Sequence, residues 1–343
     1  MLFCSTIFMY HSNSFLTALQ TPGTLFSILE KLRKQKAFIK KNIFPFLEEA
    51  VQSKDGSFDN DDLKKITNYY GLAVPAILGE AFCVLRGKKM TDTERLASTC
   101  LGAITGMGDD FFDKNRLGEE ELKNILSNPV EANGKTAGEK LSLYFYKTAI
   151  ANVSDARLMQ RALYRVFVAQ VDSKRQKKNN LTTEEIKNIT LNKGGASLLF
   201  YRTVFSNPLN DAEEKMLFTL GGLMQLSNDI FDVYKDVSDN VNTLMSTAEK
   251  VNDVRGLFIQ LLKEGYEAAG KTGYNRANIK KFINILSVGI FSRCFVCLDH
   301  LEKSEALSAN LFSPRLYNRK QLICDMDTAG NKWKSVLYHI QTV

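Results

Sequence analysis

The chain has 343 residues, of which 44% are hydrophobic, and a formal net charge of +7 at pH 7. This hydrophobic content can fill one large core, and no Pro-, Gly- or Ser-rich stretch divides the chain into separate domains. The basic residues are spread along the sequence without interleaved aromatics, which argues against a nucleic-acid-binding protein. The six cysteines form no disulfide framework and no secretory signal is recognisable, so we predict a cytoplasmic protein.

From about residue 24 onward, apolar residues recur at intervals of three and four, the spacing of helices packed on one side. Alternating strand-like runs with hairpin turns are missing from the sequence. We therefore predict an all-α fold, with an N-terminal tail or weak helix over residues 1–23 and a single domain over residues 24–343. The predicted helices cover residues 24–53, 60–87, 92–115, 118–127, 135–152, 154–178, 182–206, 210–238, 249–270, 275–305 and 314–340.

Several predicted helices begin with side chains that can bind the free backbone N–H groups of a first turn. The short connections at residues 87–89 and 207–210 favour antiparallel neighbours in a bundle. The marked helix starts are Asp59 or Asn60, Thr91 with Glu94, and Thr182 with Glu185.

The longest apolar stretch near the C-terminus, residues 282–298, contains Asn284 and Arg293. It is shorter than the roughly 20 apolar residues that a membrane-spanning helix needs. We therefore predict no membrane span.

Three carboxylates lie near the end of the predicted helix 92–115. Asp109 and Asp113 share a helix face, and Asp110 lies beside them. Carboxylates this close raise one another's pKa unless a cation neutralises them, so the arrangement suits Mg²⁺ bound through oxygen. The alternative is a solvated helix end, and a short acidic motif alone does not decide between the two.

A second polar face lies near the end of the predicted helix 210–238. Asn228, Asp232 and Asp236 stand at i, i+4 and i+8 and drift only slowly around the helix. An amide oxygen and two carboxylates can chelate a hard cation, and Lys235 is placed to bind a diphosphate oxygen. The alternative is a polar stripe of i,i+4 pairs. Two such faces opposed in a bundle would hold a metal-bound diphosphate above an apolar pocket.

The DDFFD string at residues 109–113 resembles the first aspartate-rich motif of the class I isoprenoid synthase superfamily. The segment 228–236 resembles the metal triad of its terpene cyclases, with Asp232 in place of Ser or Thr and Asp236 in place of Glu. It is also similar to the NxxxDxxxD motif of squalene and phytoene synthases and to the second DDxxD of prenyltransferases. The resemblance covers roughly residues 60–245. It implies a helical bundle around a central apolar pocket, with Mg²⁺ as cofactor (three ions when diphosphate is bound) and a prenyl diphosphate as substrate.

Other segments separate the branches of that superfamily. Lys193-Gly194-Gly195 resembles the KTA segment of prenyltransferases, which implies that Lys193 contacts diphosphate and that the glycines kink the helix. The cationic segments with which prenyltransferases bind isopentenyl diphosphate are missing at residues 66–71 and 113–117. We therefore predict a terpene synthase, a lyase acting on farnesyl or geranylgeranyl diphosphate. The alternatives are a prenyltransferase or head-to-head synthase, and a non-catalytic protein that binds prenyl lipids.

The resemblance also suggests further site residues. A homodimer is one of the oligomeric states that the sequence leaves open. Each aromatic has plain core packing as its alternative. Small residues before both motifs, such as Gly102, Gly106 and Gly222, either leave volume for a prenyl chain or let helices approach closely. The predicted diphosphate ligands are Lys193, Lys235, Arg175, Arg202, Arg315 and Tyr317, and the predicted pocket residues are Tyr69, Tyr70, Phe82, Thr105, Phe111, Phe112, Phe200, Gly221 and Gln225.

Overall fold

A computed structural model describes residues 14–113, 119–127, 131–178, 180–308 and 311–343. All regular secondary structure in these ranges is helical, so the all-α prediction is confirmed. The helices are α1 Ser14–Asn42, α2 Phe44–Gln52, α3 Asn60–Lys64, α4 Tyr70–Ala73, α5 Glu80–Leu85, α6 Asp92–Asp113, α7 Glu119–Ser127, α8 Ala137–Ala151, α9 Ala156–Ser173, α10 Thr183–Arg202, α11 Asp211–Phe231, α12 Val233–Ser238, α13 Val251–Ala269, α14 Arg276–Leu286, α15 Ser292–Ala306, α16 Arg319–Leu322 and α17 Ala329–Thr342.

The described residues form two compact units. The first unit comprises residues 14–26, 169–198 and 209–343, and the second comprises residues 27–168 and 199–208. The single domain over residues 24–343 stays a prediction. Residues 14–23, expected as a tail or a weak helix, are the first turns of α1.

The core of the first unit lies around α11, which packs against α13 and α15. Phe258 of α13 meets Phe295 of α15 edge to face, with ring centroids 5.2 Å apart. Both rings are buried, as are Leu217 and Leu220 on the facing side of α11. The buried side of α11 therefore carries the three- and four-residue apolar spacing from which the helix was predicted.

The core of the second unit lies around α6, which packs against α4 and α8. A buried polar network crosses it. Arg95 donates to Glu80 Oε1 at 2.6 Å and to Gln35 Oε1 at 3.0 Å. Gln35 in turn donates to the Gly71 carbonyl at 3.0 Å and to Thr99 Oγ1 at 2.9 Å. The network joins four helices of this unit through groups of complementary charge or polarity.

The predicted helix caps are present. Asp59 accepts from the backbone N–H groups of the first turn of α3. Thr91 and Glu94 bind each other's backbone N–H groups, at 3.1 and 2.9 Å, and Thr182 and Glu185 do so at 3.2 and 2.9 Å. These pairs fix the starts of α3, α6 and α10 close to the predicted positions.

Several long predicted helices are interrupted. The helix predicted over 60–87 contains two π-helical segments, Lys65–Tyr69 and Val74–Gly79. The helix predicted over 314–340 is wrong: a 3₁₀ turn at Pro314–Leu316 is followed by the separate helices α16 and α17. Each of these two helices has its own cap, Asn318 and Thr328, whose side chains accept first-turn N–H groups and so start the helix anew.

Two continuous helical runs, Asn60–Leu85 and Arg276–Ala306, are long and apolar enough to cross a membrane. In each run, 61% of the most apolar window is buried inside the protein, as in the core helix of a folded domain. The absence of a membrane span stays a prediction.

Candidate acidic site at the junction of helices α11 and α12

The predicted metal triad lies where α11 ends and α12 begins. Asp232 interrupts the predicted helix, with φ −94° and ψ 8°. Backbone hydrogen bonds of 2.8 Å from Asp232 N to Asn228 O and from Asp236 N to Asp232 O continue the i to i+4 pattern across the interruption. The three residues therefore keep helical spacing, although Asn228 and Asp232 reach solvent and Asp236 is half-buried.

Asp229 is the buried carboxylate of this region, with 3% of its surface exposed. Thr190 donates to its Oδ2 and Gln225 to its Oδ1, both at 3.1 Å. Burial raises the pKa of Asp229 to about 6, although these hydrogen bonds and the charge of Lys193 act in the opposite direction. Asp229 was not predicted as a site residue. Its position four residues after Gln225, which places the two side chains on one helix face, could have indicated their hydrogen bond.

Asp232 and Asp236 add two more carboxylates to the same region. Burial raises the pKa of Asp236 to about 7, and repulsion from Asp229 and Asp232 adds to the shift. Thr243 donates to Asp236 Oδ2 at 3.2 Å, which offsets part of it. Partial burial also raises the pKa of Asp232. We refer to Asp229, Asp232 and Asp236 together as the acidic cluster.

Two lysines act on the acidic cluster. The charge of Lys193 lowers the pKa of Asp229, and that of Lys235 lowers the pKa of Asp232 and Asp236. Lys235 lies 3.6 Å from Asp239, and 70% of its side chain is exposed. The two lysines therefore lie close enough to the carboxylates to lower their pKa values, and their role as diphosphate ligands stays a prediction.

Helices α10 and α11 touch backbone to backbone at glycines. A Cβ on Gly194 would overlap the Gly221 carbonyl oxygen, and a Cβ on Gly221 would overlap that of Gly194. A Cβ on Gly222 would lie 2.6 Å from Leu191 Cδ2. The glycines therefore allow α10 and α11 to approach each other closely. α10 continues through Gly194, which faces α11, and the expected kink stays a prediction.

Arg175 and Arg202, two of the arginines predicted to bind diphosphate, have partners within the protein. Arg175 lies 3.1 Å from Asp172 and 2.6 Å from Glu185. Arg202, in the second unit, is 4% exposed and donates to the carbonyls of Phe205 and Asn207 at 2.9 and 3.0 Å. These two hydrogen bonds hold the Arg202 side chain against the loop that follows α10, and its diphosphate role stays a prediction.

A cationic segment lies beside α12 in the first unit. Arg315 donates to Asn240 Oδ1 at 3.1 Å, just past the end of α12, and Tyr317 donates to the Leu311 carbonyl at 3.1 Å. The guanidinium of Arg319 lies over the Tyr234 ring, 5.6 Å from its centroid. Arg319 was not predicted, because a cation–π contact between residues so far apart in sequence leaves no local pattern.

The predicted pocket residues of the second unit differ in environment. Phe82 and Phe200 are 3% and 1% exposed, as core residues are, whereas Tyr69 is 62% exposed. Tyr201 donates to Thr105 Oγ1 at 2.9 Å. A Cβ on Gly106 would lie 3.2 Å from the Tyr70 ring. The burial of Phe82 and Phe200 is compatible with core packing, and their pocket role and the central apolar pocket stay predictions.

The first acidic motif occupies the end of α6, where the side chains lie outside the described residues. Those predictions therefore remain as the sequence made them for Asp109, Asp110, Phe111, Phe112 and Asp113. Within the described part of the chain, no three His, Cys, Asp or Glu side chains are placed to hold a metal ion together. A surface cavity of about 460 Å³ in the second unit, lined by Gln160, Arg161 and Tyr164 among others, contains none of the predicted site residues.

No protein-family profile matches the chain, and no curated protein matches it. Among solved structures, the chain is similar to a dehydrosqualene synthase crystallised in complex with a ligand. The TM-score is 0.46 at 14% sequence identity, over 92% of this chain and 97% of that one. A likeness at this level does not establish a family, so the function rests on the residues of the chain itself.

Proposed function

We propose that the protein is a Mg²⁺-dependent class I isoprenoid synthase that ionises an allylic prenyl diphosphate and releases diphosphate. The observation that carries the proposal is the acidic cluster, whose three carboxylates all have raised pKa values. Mutual repulsion and burial cost stability, and groups held against such a cost concentrate at functional sites. A divalent cation is the natural partner of such a cluster.

The donor types fit Mg²⁺. The amide oxygen of Asn228 and the carboxylates of Asp232 and Asp236 are hard oxygen ligands. Mg²⁺ usually binds through one or two carboxylates, with substrate phosphates and waters as its other ligands. This habit agrees with a site in which three acidic side chains do not close around an ion. When bound, Mg²⁺ would neutralise the negative charge that grows on the departing diphosphate.

The residues of the chain have separate parts in this proposal. Lys193 and Lys235 bind diphosphate oxygens as point charges. Asp229 acts as a positioning residue, because its bonds to Thr190 and Gln225 tie α10 to α11 beside Lys193. Asp109, Asp110 and Asp113 enter the proposal as metal ligands on their sequence motif alone.

A terpene synthase with farnesyl or geranylgeranyl diphosphate is our first choice, because the cations for a second, isopentenyl substrate are missing from the sequence. A head-to-head synthase is the second candidate. Asn228, Asp232 and Asp236 match the NxxxDxxxD motif of that branch at all three positions, but match the cyclase triad at Asn228 alone.

Diphosphate release from geranyl, farnesyl and geranylgeranyl diphosphate tests the proposal. We expect release with Mg²⁺, none with a chelator, and a loss of at least about 100-fold in Asp232→Asn. Asp253→Asn, an exposed aspartate in the first turn of α13, is the matched control and should keep wild-type release. Product analysis separates the branches: a terpene from one substrate, or a coupled product from two. No release from any of the three would favour the non-catalytic lipid-binding alternative.

A further inference from the structure

In the first half of helix α1, up to Phe26, the buried side chains are polar and the Leu and Phe side chains are exposed. Thr17 and Thr21 are 0% and 2% exposed, and Thr21 donates to the Thr17 carbonyl at 2.7 Å. On the other side of the helix, Phe15, Leu19 and Phe26 are 75%, 63% and 69% exposed. A helix on the water-facing surface of a folded protein has the opposite arrangement.

The exposed apolar side chains of α1 form a patch and are not scattered single residues. In the described part of the chain, 16 large hydrophobic side chains are exposed. Six of them lie in one stretch of 15 residues of this helix, residues 15–29. A concentration of this kind marks an interaction surface, whereas single exposed apolar residues are ordinary. The outer face of α1 is defined here as Phe15, Leu16, Leu19, Leu25, Phe26 and Leu29.

Cations accompany this apolar face. Glu30 is the only acidic residue in α1, and five exposed cations follow it on the same helix. A helix that contacts the first half of α1 is also basic: Asn284 of α14 donates to Gln20 at 3.5 Å, and α14 contains three cations and no acidic residue. The cations are Arg33, Lys34, Lys36, Lys40 and Lys41 on α1 and Arg276, Lys280 and Lys281 on α14.

This charge pattern selects the occupant of the outer face. Two copies of α1 paired in parallel would set like charges against each other. Paired antiparallel, they would set the basic half of one helix against the apolar half of the other. An anionic bilayer complements both halves, because it offers acyl chains to apolar side chains and phosphates to lysine and arginine.

We propose that α1 docks the protein on the surface of an anionic lipid bilayer. The outer face enters the boundary between headgroups and acyl chains, and the cations of the same helix bind headgroup phosphates. This contact is peripheral and spans nothing. It is separate from the acidic cluster and does not depend on the reaction proposed for that cluster.

Sedimentation of the full chain with vesicles tests the inference. We expect binding to equimolar phosphatidylcholine and phosphatidylglycerol vesicles, at least about tenfold weaker binding to phosphatidylcholine alone, and weakening with added salt. Equal binding to both kinds of vesicle would overturn the electrostatic part of the inference, and binding to neither would overturn all of it.

Paired variants locate the contact on α1. Leu19→Ser with Phe26→Ser should lower the affinity for anionic vesicles about tenfold or more. The control, Leu307→Ser with Trp333→Ser, removes two other side chains of the first unit that are 83% and 63% exposed and should change nothing. Equal effects of the two double variants would overturn the assignment to α1. The thermal midpoint of each variant confirms that it is folded.

A charge pair and two further outcomes complete the test. Lys34→Gln with Lys36→Gln should weaken binding more than the control Lys88→Gln with Lys89→Gln, which removes two exposed cations from a turn outside α1. A dimer that forms without vesicles and dissociates in the Leu19→Ser and Phe26→Ser variant would identify a second copy as the occupant. Vesicle binding only by a chain that starts at Ser14 would identify the preceding residues of the chain as the occupant. Either result would overturn the lipid assignment.

Discussion

In the second unit, the buried guanidinium of Arg95 lies 2.6 Å from Glu80, and Lys31 lies 3.4 Å from the other oxygen of the same carboxylate. In the first unit, burial raises the pKa of Asp229 and Asp236, and repulsion from a neighbouring carboxylate adds to each shift: Asp232 acts on Asp229, and Asp229 and Asp232 act on Asp236. Each region lies near a point where two helices approach closely at a glycine. They differ in the sign of the charges that the fold brings together.

This difference separates charges that stabilise the fold from charges that a ligand would neutralise. A buried group with an opposite charge beside it loses a partner when either side chain is removed. When one of several buried like charges is removed, the folded protein becomes more stable, because the repulsion between them is lost. Substitutions in the two regions should therefore change the free energy of unfolding in opposite directions.

The largest expected effect is on the paired region. Arg95→Met should lower the free energy of unfolding by about 3 to 5 kcal/mol, because it leaves Glu80 buried without its closest partner. Urea denaturation measures the change. The double variant Arg95→Met with Glu80→Met is the control and should recover much of the loss, since it leaves no unpaired carboxylate. A loss below about 1 kcal/mol in Arg95→Met would show that the network contributes little.

The glycine crossings should respond alike in both regions. A Cβ on Gly102 would lie 2.5 Å from the Tyr70 carbonyl oxygen, and one on Gly221 would overlap the Gly194 carbonyl oxygen. We expect Gly102→Ala and Gly221→Ala each to lower the free energy of unfolding by about 1 to 3 kcal/mol. Gly256→Ala is the matched helical control, because nothing lies within 4 Å of the added Cβ, and it should raise stability by up to about 1 kcal/mol. Similar free energies of unfolding for all three variants would contradict the close helix approach at Gly102 and Gly221.

The smallest expected effect has the opposite sign. Asp236→Asn should raise the free energy of unfolding at pH 8 by about 1 to 2 kcal/mol without metal, a value discounted for the partial exposure of this carboxylate. Asp236 has a pKa of about 7 in the folded protein against 3.8 when unperturbed. Between these values the folded state binds more protons than the unfolded state, so this group's contribution to stability falls as pH rises.

The pH profile isolates that contribution. The difference in stability between Asp236→Asn and wild type should grow from about pH 4 to pH 8. Burial lowers the pKa of His339 to about 4, which gives the reverse slope at acid pH, but His339 is present in both proteins and cancels in the difference. Asp253→Asn should show no such growth. A constant difference across the range would show that the pKa of Asp236 is not raised in the folded protein.

Local sequence patterns predicted the helices and several of their starts. The spacing of apolar residues and the capping residues depend only on neighbours in sequence. For this reason α6 and α10 start where Thr91 and Thr182 indicated. Interruptions were missed where the backbone still forms hydrogen bonds across them, as at Asp232. The inverted face of α1 was missed as well, because Thr17 and Thr21 are buried by tertiary packing that the helical period does not report.

The candidate site was predicted in part. The spacing of Asn228, Asp232 and Asp236 is a local feature, and the structure keeps it. The burial of Asp229 depends on Thr190 of another helix, and the position of Arg319 depends on a ring 85 residues away (319 − 234). Contacts of this kind join distant parts of the chain, so no periodicity or motif indicates them.

Thermal unfolding with Mg²⁺ and inorganic diphosphate tests the central claim, that the α11–α12 junction binds a metal-bound diphosphate. A ligand that binds only the folded protein raises its midpoint by mass action. We predict that wild type and Asp253→Asn gain stability only when Mg²⁺ and diphosphate are present together, and that Asn228→Ala and Asp232→Asn lose this gain while remaining folded. An equal gain in Asp232→Asn and wild type would contradict the account.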